Sequence, residues 1–173
     1  MVSGRFDRLD AQRHLGNKTM RTTTRRNSII GRCLLSVVAA VTIFGSFVAD
    51  WNITHIYNPN WPPHARFHNG QTMSVGVLLG LAALFFTWRR KGDARTNLIA
   101  AALFDAFYWI SQAMAFLFPG VAWTDPDLLK PGQTLHPVIA LQGYMDIALL
   151  ALVVLAVALS WRATTPTADE QNR

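Results

Sequence analysis

Residues 33–49 read CLLSVVAAVTIFGSFVA, 17 consecutive positions without a charged side chain. As a helix this run alone rises about 26 Å at ~1.5 Å per residue, close to the ~30 Å hydrocarbon core of a bilayer. Taken to its polar flanks, Ile29 to Trp51, it is long enough to cross. Working outward from it, three more apolar stretches of similar length follow, 71–88, 98–118 and 137–161. Inside lipid each segment must satisfy its own backbone hydrogen bonds, so all four read as helices. Asn69-Gly70 is expected to break the chain before the second span, Pro119-Gly120 to end the third, and Pro137 to occupy the first turn of the fourth. The fold class is therefore all-α, a polytopic four-helix transmembrane bundle with an ordered outer loop. Residues 1–28 form a basic tail, 29–161 the membrane domain and 162–173 a second tail.

Composition agrees. Of 173 residues 51% are hydrophobic and 15% charged, against roughly 25% charged in soluble domains. That excludes a disordered chain and argues against an ordinary soluble enzyme. Cys33 is the single cysteine, which excludes an internal disulfide, a CxxC redox pair and a thiolate zinc cage.

The net charge of +6 is unevenly placed. Eight basic residues precede or end at Arg32, four lie in Arg89, Arg90, Lys91 and Arg95, and two are Arg162 and Arg173. The opposite face receives only Arg66 and Lys130. By the positive-inside rule, both termini are expected to be cytoplasmic and the two longer loops to face outward from the cell membrane. The basic residues are an orientation signal, and no nucleic-acid site is assigned, because binding motifs and aromatic interleaving are missing. Trp51, Trp61 and Trp123 fall at the outer interface, Trp88 and Trp161 at the inner one, and Trp109 in mid-span. The first span is too long for a signal peptide and lacks small residues at both cleavage positions, so it reads as an anchor. The polar residues before Met20 show no clear period.

Acids inside the spans carry the functional argument. Asp50 closes the first span, Asp105 lies in the third and Asp146 in the fourth. Ionisable residues at depth are costly and normally face a bundle interior or wet cavity. Asp105, Tyr108 and Gln112 stand at i, i+3 and i+7, and Gln142 and Asp146 at i and i+4, so each set forms one helical stripe. The two stripes reach similar depth. They predict either a functional polar pocket or a hydrogen-bonded packing network, with Asp105 and Asp146 facing one another and Trp109 beside them.

The loop after Asp50 is the other unusual segment. It holds His55, His64 and His68, with His136 on the same side. It is rich in aromatics, prolines and amides, whereas linkers hold Ser, Glu and Lys. Trp51 to Asn69 is expected to form an ordered cap over the outer mouth. Trp51, Tyr57, Trp61 and Phe67 would bury area against the bundle, and His64 and His68 would point toward the mouth. His64 and His68 have i, i+4 spacing that suits a shared metal, but HEXXH is absent, and neither a metal nor a cofactor is assigned. Candidate acid–base residues are Asp105, Asp146, Tyr108, His64, His68 and Asp50. Candidate binding residues are Asn52, His55, Asn69, Gln71, Gln112, Gln142 and Trp109. Gly76 and Gly80 form a GxxxG, either a packing notch within the bundle or a homodimer contact; Ala102 and Ala106 offer a similar small face.

Asn52, Thr54-His55, Asn58-Pro59, Trp61-Pro62-Pro63-His64 and Phe67-His68-Asn69-Gly70-Gln71-Thr72 together resemble an uncharacterised family of small four-span integral membrane proteins of fungi and bacteria. Some of its members carry an acetyltransferase label, yet this chain has neither an acyl-CoA loop nor HxxxxD. In architecture alone the chain is also similar to the emopamil-binding, sterol-isomerase-like superfamily and to DoxX-like proteins. Two function classes stay open. One is a binder of a lipophilic small molecule, with isomerisation, cyclisation or hydrolysis as its chemistry. The other is a non-catalytic membrane subunit or carrier whose acids pair helices or relay protons. Membrane lipid surrounds the protein in both.

Overall fold

The computed structural model describes residues 3–122, 129–132 and 137–164. Trp123, His136 and the tail beyond Thr164 lie outside the described residues. Four helices make up the architecture: α1 (Ser3–Asp50), α2 (Pro63–Trp88), α3 (Ala94–Met114) and α4 (Pro137–Trp161). Short 3-10 turns at Ala115–Leu117 and Arg162–Thr164 extend α3 and α4.

The helix ends follow local chemistry, and two differ from expectation. α1 continues through the basic tail instead of starting at Ile29. The tail contains no proline, and its Arg, Lys, Gln and Leu residues are good helix formers. Thr22 and Thr23 donate their hydroxyls to the carbonyls of Lys18 and Thr19, at 2.9 and 3.0 Å. α2 begins at Pro63, eight residues before the expected Gln71, and Asn69-Gly70 lies inside it. Pro62-Pro63 is the effective punctuation: Pro63 forces extended backbone on Pro62 (ψ 156°) and presets the first helical turn. Asn69 stays helical because its side chain is used by Asp50, described below.

α3 starts where Asp93 caps it, accepting from the Thr96 backbone N–H at 2.6 Å. Gly92 (φ +79°) makes the tight turn before that cap. The third span ends as expected: Phe118 is extended ahead of Pro119, and Gly120 follows at φ +77°.

The helices run up and down in cyclic order, each packed on its chain neighbours, and α4 closes back on α1. Leu35, Val38, Leu98, Ala101, Trp109, Leu149, Val153 and Ala156 form the core. Trp109 is fixed in it, because its indole N–H donates to Thr42 Oγ1 at 3.0 Å and Thr42 donates onward to the Val38 carbonyl. The α1–α2 seam is made by the glycines. A Cβ at Gly76 would sit 2.8 Å from the Thr42 carbonyl oxygen, and one at Gly80 2.8 Å from that of Ala39. Of the two readings of the GxxxG, the structure therefore has the packing one. α1 of the same chain packs on that face.

In each membrane-length stretch a third or fewer of the residues are buried. Phe44, Val48, Leu78, Leu103, Ile147 and Val154 point outward. A bundle with this much apolar surface outside is solvated by lipid, not water. The chain is a multi-pass membrane protein.

Candidate functional site

The polar side chains gather near one end of the bundle, where α1 stops and α2 starts. By the charge asymmetry this is called the outer end. Thr42, Ser46 and Asp50 stand at i, i+4 and i+8 on α1 and face inward; Thr42 and Ser46 are buried. Asp50 Oδ2 accepts from Asn69 Nδ2 at 2.8 Å, and Asp50 Oδ1 lies 3.8 Å from His55 Nε2. Tyr108 of α3 packs over Gly76 with its ring 3.2 Å from where a Cβ would stand. It lies beside Ser46 and within electrostatic reach of Asp50 and Asp146.

Deeper in the bundle, Asp105 is fully buried, and neither carboxylate oxygen has a hydrogen-bond partner. Asp146 is 6% exposed and its Oδ1 is also unpaired. Asp105 stands about 17 Å along α3 from Ala94, and Asp146 about 23 Å back along α4 from Trp161, at ~1.5 Å per residue. The two acids are offset by about one turn, with Tyr108 near the level of Asp146. Gln112 and Gln142 are half-buried on the same stripes. Trp109 is a core residue whose polar group is already spent on Thr42.

The outer loop is ordered by amide hydrogen bonds and by ring contacts among its own residues, Trp51 with Tyr57 and His55 with Trp61. Asn52 Nδ2 donates to the Ala49 carbonyl at 2.5 Å, and Asn52 Oδ1 accepts from the Thr54 N–H and hydroxyl. Thr54 Oγ1 lies 2.7 Å from His55 Nδ1. Asn58 is buried; it donates to the Thr54 carbonyl, accepts from the Asn60 N–H, and its own carbonyl accepts from Arg66. Trp51, Tyr57 and Phe67 are 55, 54 and 62% exposed, so the expected burial against the bundle does not occur for these three, while Trp61, the fourth, is half-buried. At a bilayer surface such rings are stable in the interface itself, which removes the drive to bury them in protein.

His64 and His68 sit side by side in the first turns of α2, with Nε2 atoms 3.0 Å apart. Both rings are exposed, and neither is bonded to Asp50, Asp105 or Asp146. The buried face of α2 runs through Asn69, Met73, Gly76, Gly80, Ala83 and Thr87, and the two histidines fall outside it. They therefore do not point into the mouth, contrary to expectation. His68 Nδ1 lies 3.1 Å from Gln71 Oε1. Among the described residues no group of three His, Cys, Asp or Glu side chains could hold a metal.

The structure thus brings together Asp50, His55, Asn52 and Asn69 at the outer rim, and Tyr108 below them toward Asp146. It sets His64, His68 and Gln71 apart. Sequence reasoning missed Ser46 and Asn58. The i, i+4, i+8 stripe Thr42, Ser46, Asp50 was a readable signal for the first. No match was found among curated proteins or among solved structures. A family profile described as a family of unknown function does match, over residues 34–169, which begins inside the first span and takes in the outer loop and the other three spans. With most of its length inside that match, the chain belongs to the family of unknown function DUF6640.

Proposed function

We propose that this protein binds a lipophilic small molecule carrying a hydrogen-bond donor, and that Asp105, Asp146 and Tyr108 hold its polar end. The observation that carries this reading is the unpaired carboxyl oxygens of Asp105 and Asp146 inside the bundle. Buried acceptors without donors are costly, and intramembrane acids are functional sites by default. A hydroxyl or amine on a membrane-soluble ligand supplies the missing donor. The same carboxyls could exchange a proton with the ligand, as isomerisation, cyclisation or hydrolysis requires. Asp50 and His55 at the rim provide contact with water. The charge asymmetry supports placement in the cell membrane with both termini in the cytoplasm.

A second reading, a non-catalytic subunit or carrier that relays protons, is favoured by the file Asp146, Tyr108, Asp50 and His55. Successive members of it lie within electrostatic reach or at ion-pair distance. The deciding experiment is extraction of the protein in native lipid discs, with mass spectrometry of what co-purifies. The binder reading expects one lipophile enriched over bulk membrane and lost from the folded Asp105→Asn, Asp146→Asn double variant. Equal lipid profiles for both proteins would refute it.

A further inference from the structure

The inner end of the bundle holds a cavity of about 320 Å³ into which all four helices contribute. Arg32 of α1 and Arg89 and Arg90 after α2 line it, with Thr87, Asn97 and Ser160. This volume falls within the ~300–1,000 Å³ of small-molecule sites. Among the described residues no acidic side chain lines it. The nearby Asp93 is committed to capping α3, and among the described residues the ion pair formed is His55–Asp50 at the far end. Among the described residues three arginines therefore line this cavity with no carboxylate beside them, Arg89 with its guanidinium over the Phe85 and Phe86 rings.

Two hydroxyls add an independent observation. Thr87 and Ser160 are 5% and 2% exposed, and neither Oγ has a hydrogen-bond partner. A helical hydroxyl ordinarily donates to the carbonyl one turn back, as Ser36 and Thr42 do in this chain. Thr87 and Ser160 do not, and they stand in the wall of an arginine-lined cavity. Gly31 makes room for this, since a Cβ there would collide with the Ser160 hydroxyl and lie 2.6 Å from the Ala156 carbonyl.

The geometry points to a phosphate-binding site at the inner end, filled by the headgroup phosphate of an anionic lipid or by free phosphate. Guanidinium forks match phosphate oxygens, and basic pockets between helix ends are a recurring way to hold anionic headgroups. The buried hydroxyls donate to the oxygens that the arginines leave unbonded. The site is separate from the outer acids and stands whether or not these bind a ligand.

The test titrates full-length protein in zwitterionic micelles with short-chain phosphatidylglycerol, with short-chain phosphatidylcholine, and with inorganic phosphate. The anionic lipid should bind saturably and the zwitterionic lipid at least tenfold more weakly. Arg32→Gln with Arg90→Gln should weaken binding about tenfold or more, as loss of charge-assisted bonds does. Thr87→Val leaves the surface charge unchanged and should still weaken binding several-fold; Ser160→Ala replaces it if helicity falls. Displacement of the lipid by inorganic phosphate identifies the phosphate group alone as the ligand, and failure to displace identifies the intact headgroup. Equal binding of the two lipids, or hydroxyl variants that bind like the natural protein, would overturn the site.

Discussion

Replacing Gly76 by alanine tests the packing of the whole bundle with one methyl group. The new Cβ would lie 2.8 Å from the Thr42 carbonyl oxygen and 3.2 Å from the Tyr108 ring. Ordinary C···O approaches fall at about 3.3–3.6 Å, so α2 must retreat by roughly 0.5–0.8 Å. A gap of ~0.5–1 Å forfeits a quarter to a half of the dispersion energy of each atom pair along the seam. Alanine's better helix propensity returns about 1 kcal/mol. The net expectation is a loss of about 1–3 kcal/mol, the usual cost of an overpacked contact. Gly70→Ala is the internal control. It lies in the same helix, and nothing stands within 4 Å of its Cβ position. It should gain up to about 1 kcal/mol from propensity alone. Denaturant unfolding of both variants in one detergent, followed by circular dichroism and tryptophan fluorescence, measures the difference. Gly76→Ala as stable as Gly70→Ala would refute the close α1–α2 approach.

Thr42→Val keeps the side-chain shape but leaves the buried Trp109 N–H without an acceptor, and should cost about 1–3 kcal/mol of unfolding free energy; a variant as stable as the natural protein would show the indole is not anchored there. The Thr96 backbone N–H beside Asp93 holds that carboxyl below its ordinary value of 3.8. Its cap therefore stabilises α3 above that pH and is lost as pH falls through the lowered value. Asp93→Ala should melt earlier than the natural protein at neutral pH, and the gap should close progressively below pH 3.8; a gap independent of pH would contradict this. Reporter fusions after Trp161 should behave as cytoplasmic and fusions at Asn60 as external; the reverse pattern would overturn the orientation.

Hydropathy made the four spans legible because a membrane imposes one length on every crossing helix. The start of α2 was not, since Asn69-Gly70 looks like a turn until Asn69 is seen bonded to Asp50 across 19 residues of chain. The spacing of His64 and His68 correctly put their rings side by side. Their direction was not readable, because it depends on which face of α2 meets α1, and that is set by Gly76 and Gly80. The aromatic loop was read by the rules of water-soluble proteins, where exposed rings seek a core; in a bilayer Trp51 and Tyr57 have the interface instead. Asp105 and Asp146 stood out in the sequence by their rarity. That both oxygens of Asp105 and the Oδ1 of Asp146 lack partners could be seen only with the neighbouring helices in place. The inner arginines were legible as charge but not as a cavity lining, because Arg32 and Arg90 come to one cavity only through the packing of the bundle.

The close seat of α4 at Gly31 bears on how the chain assembles during synthesis. α1 and α2 leave the ribosome in succession, and their glycine seam is complete once α2 has inserted. The other flank of α1, cut away at Gly31 to receive Ala156 and Ser160, has to wait for α4. Until then α1 lacks the neighbour that fills its Gly31 notch. An α1–α2 hairpin is thus the natural first intermediate, and α4 closes the ring of four helices.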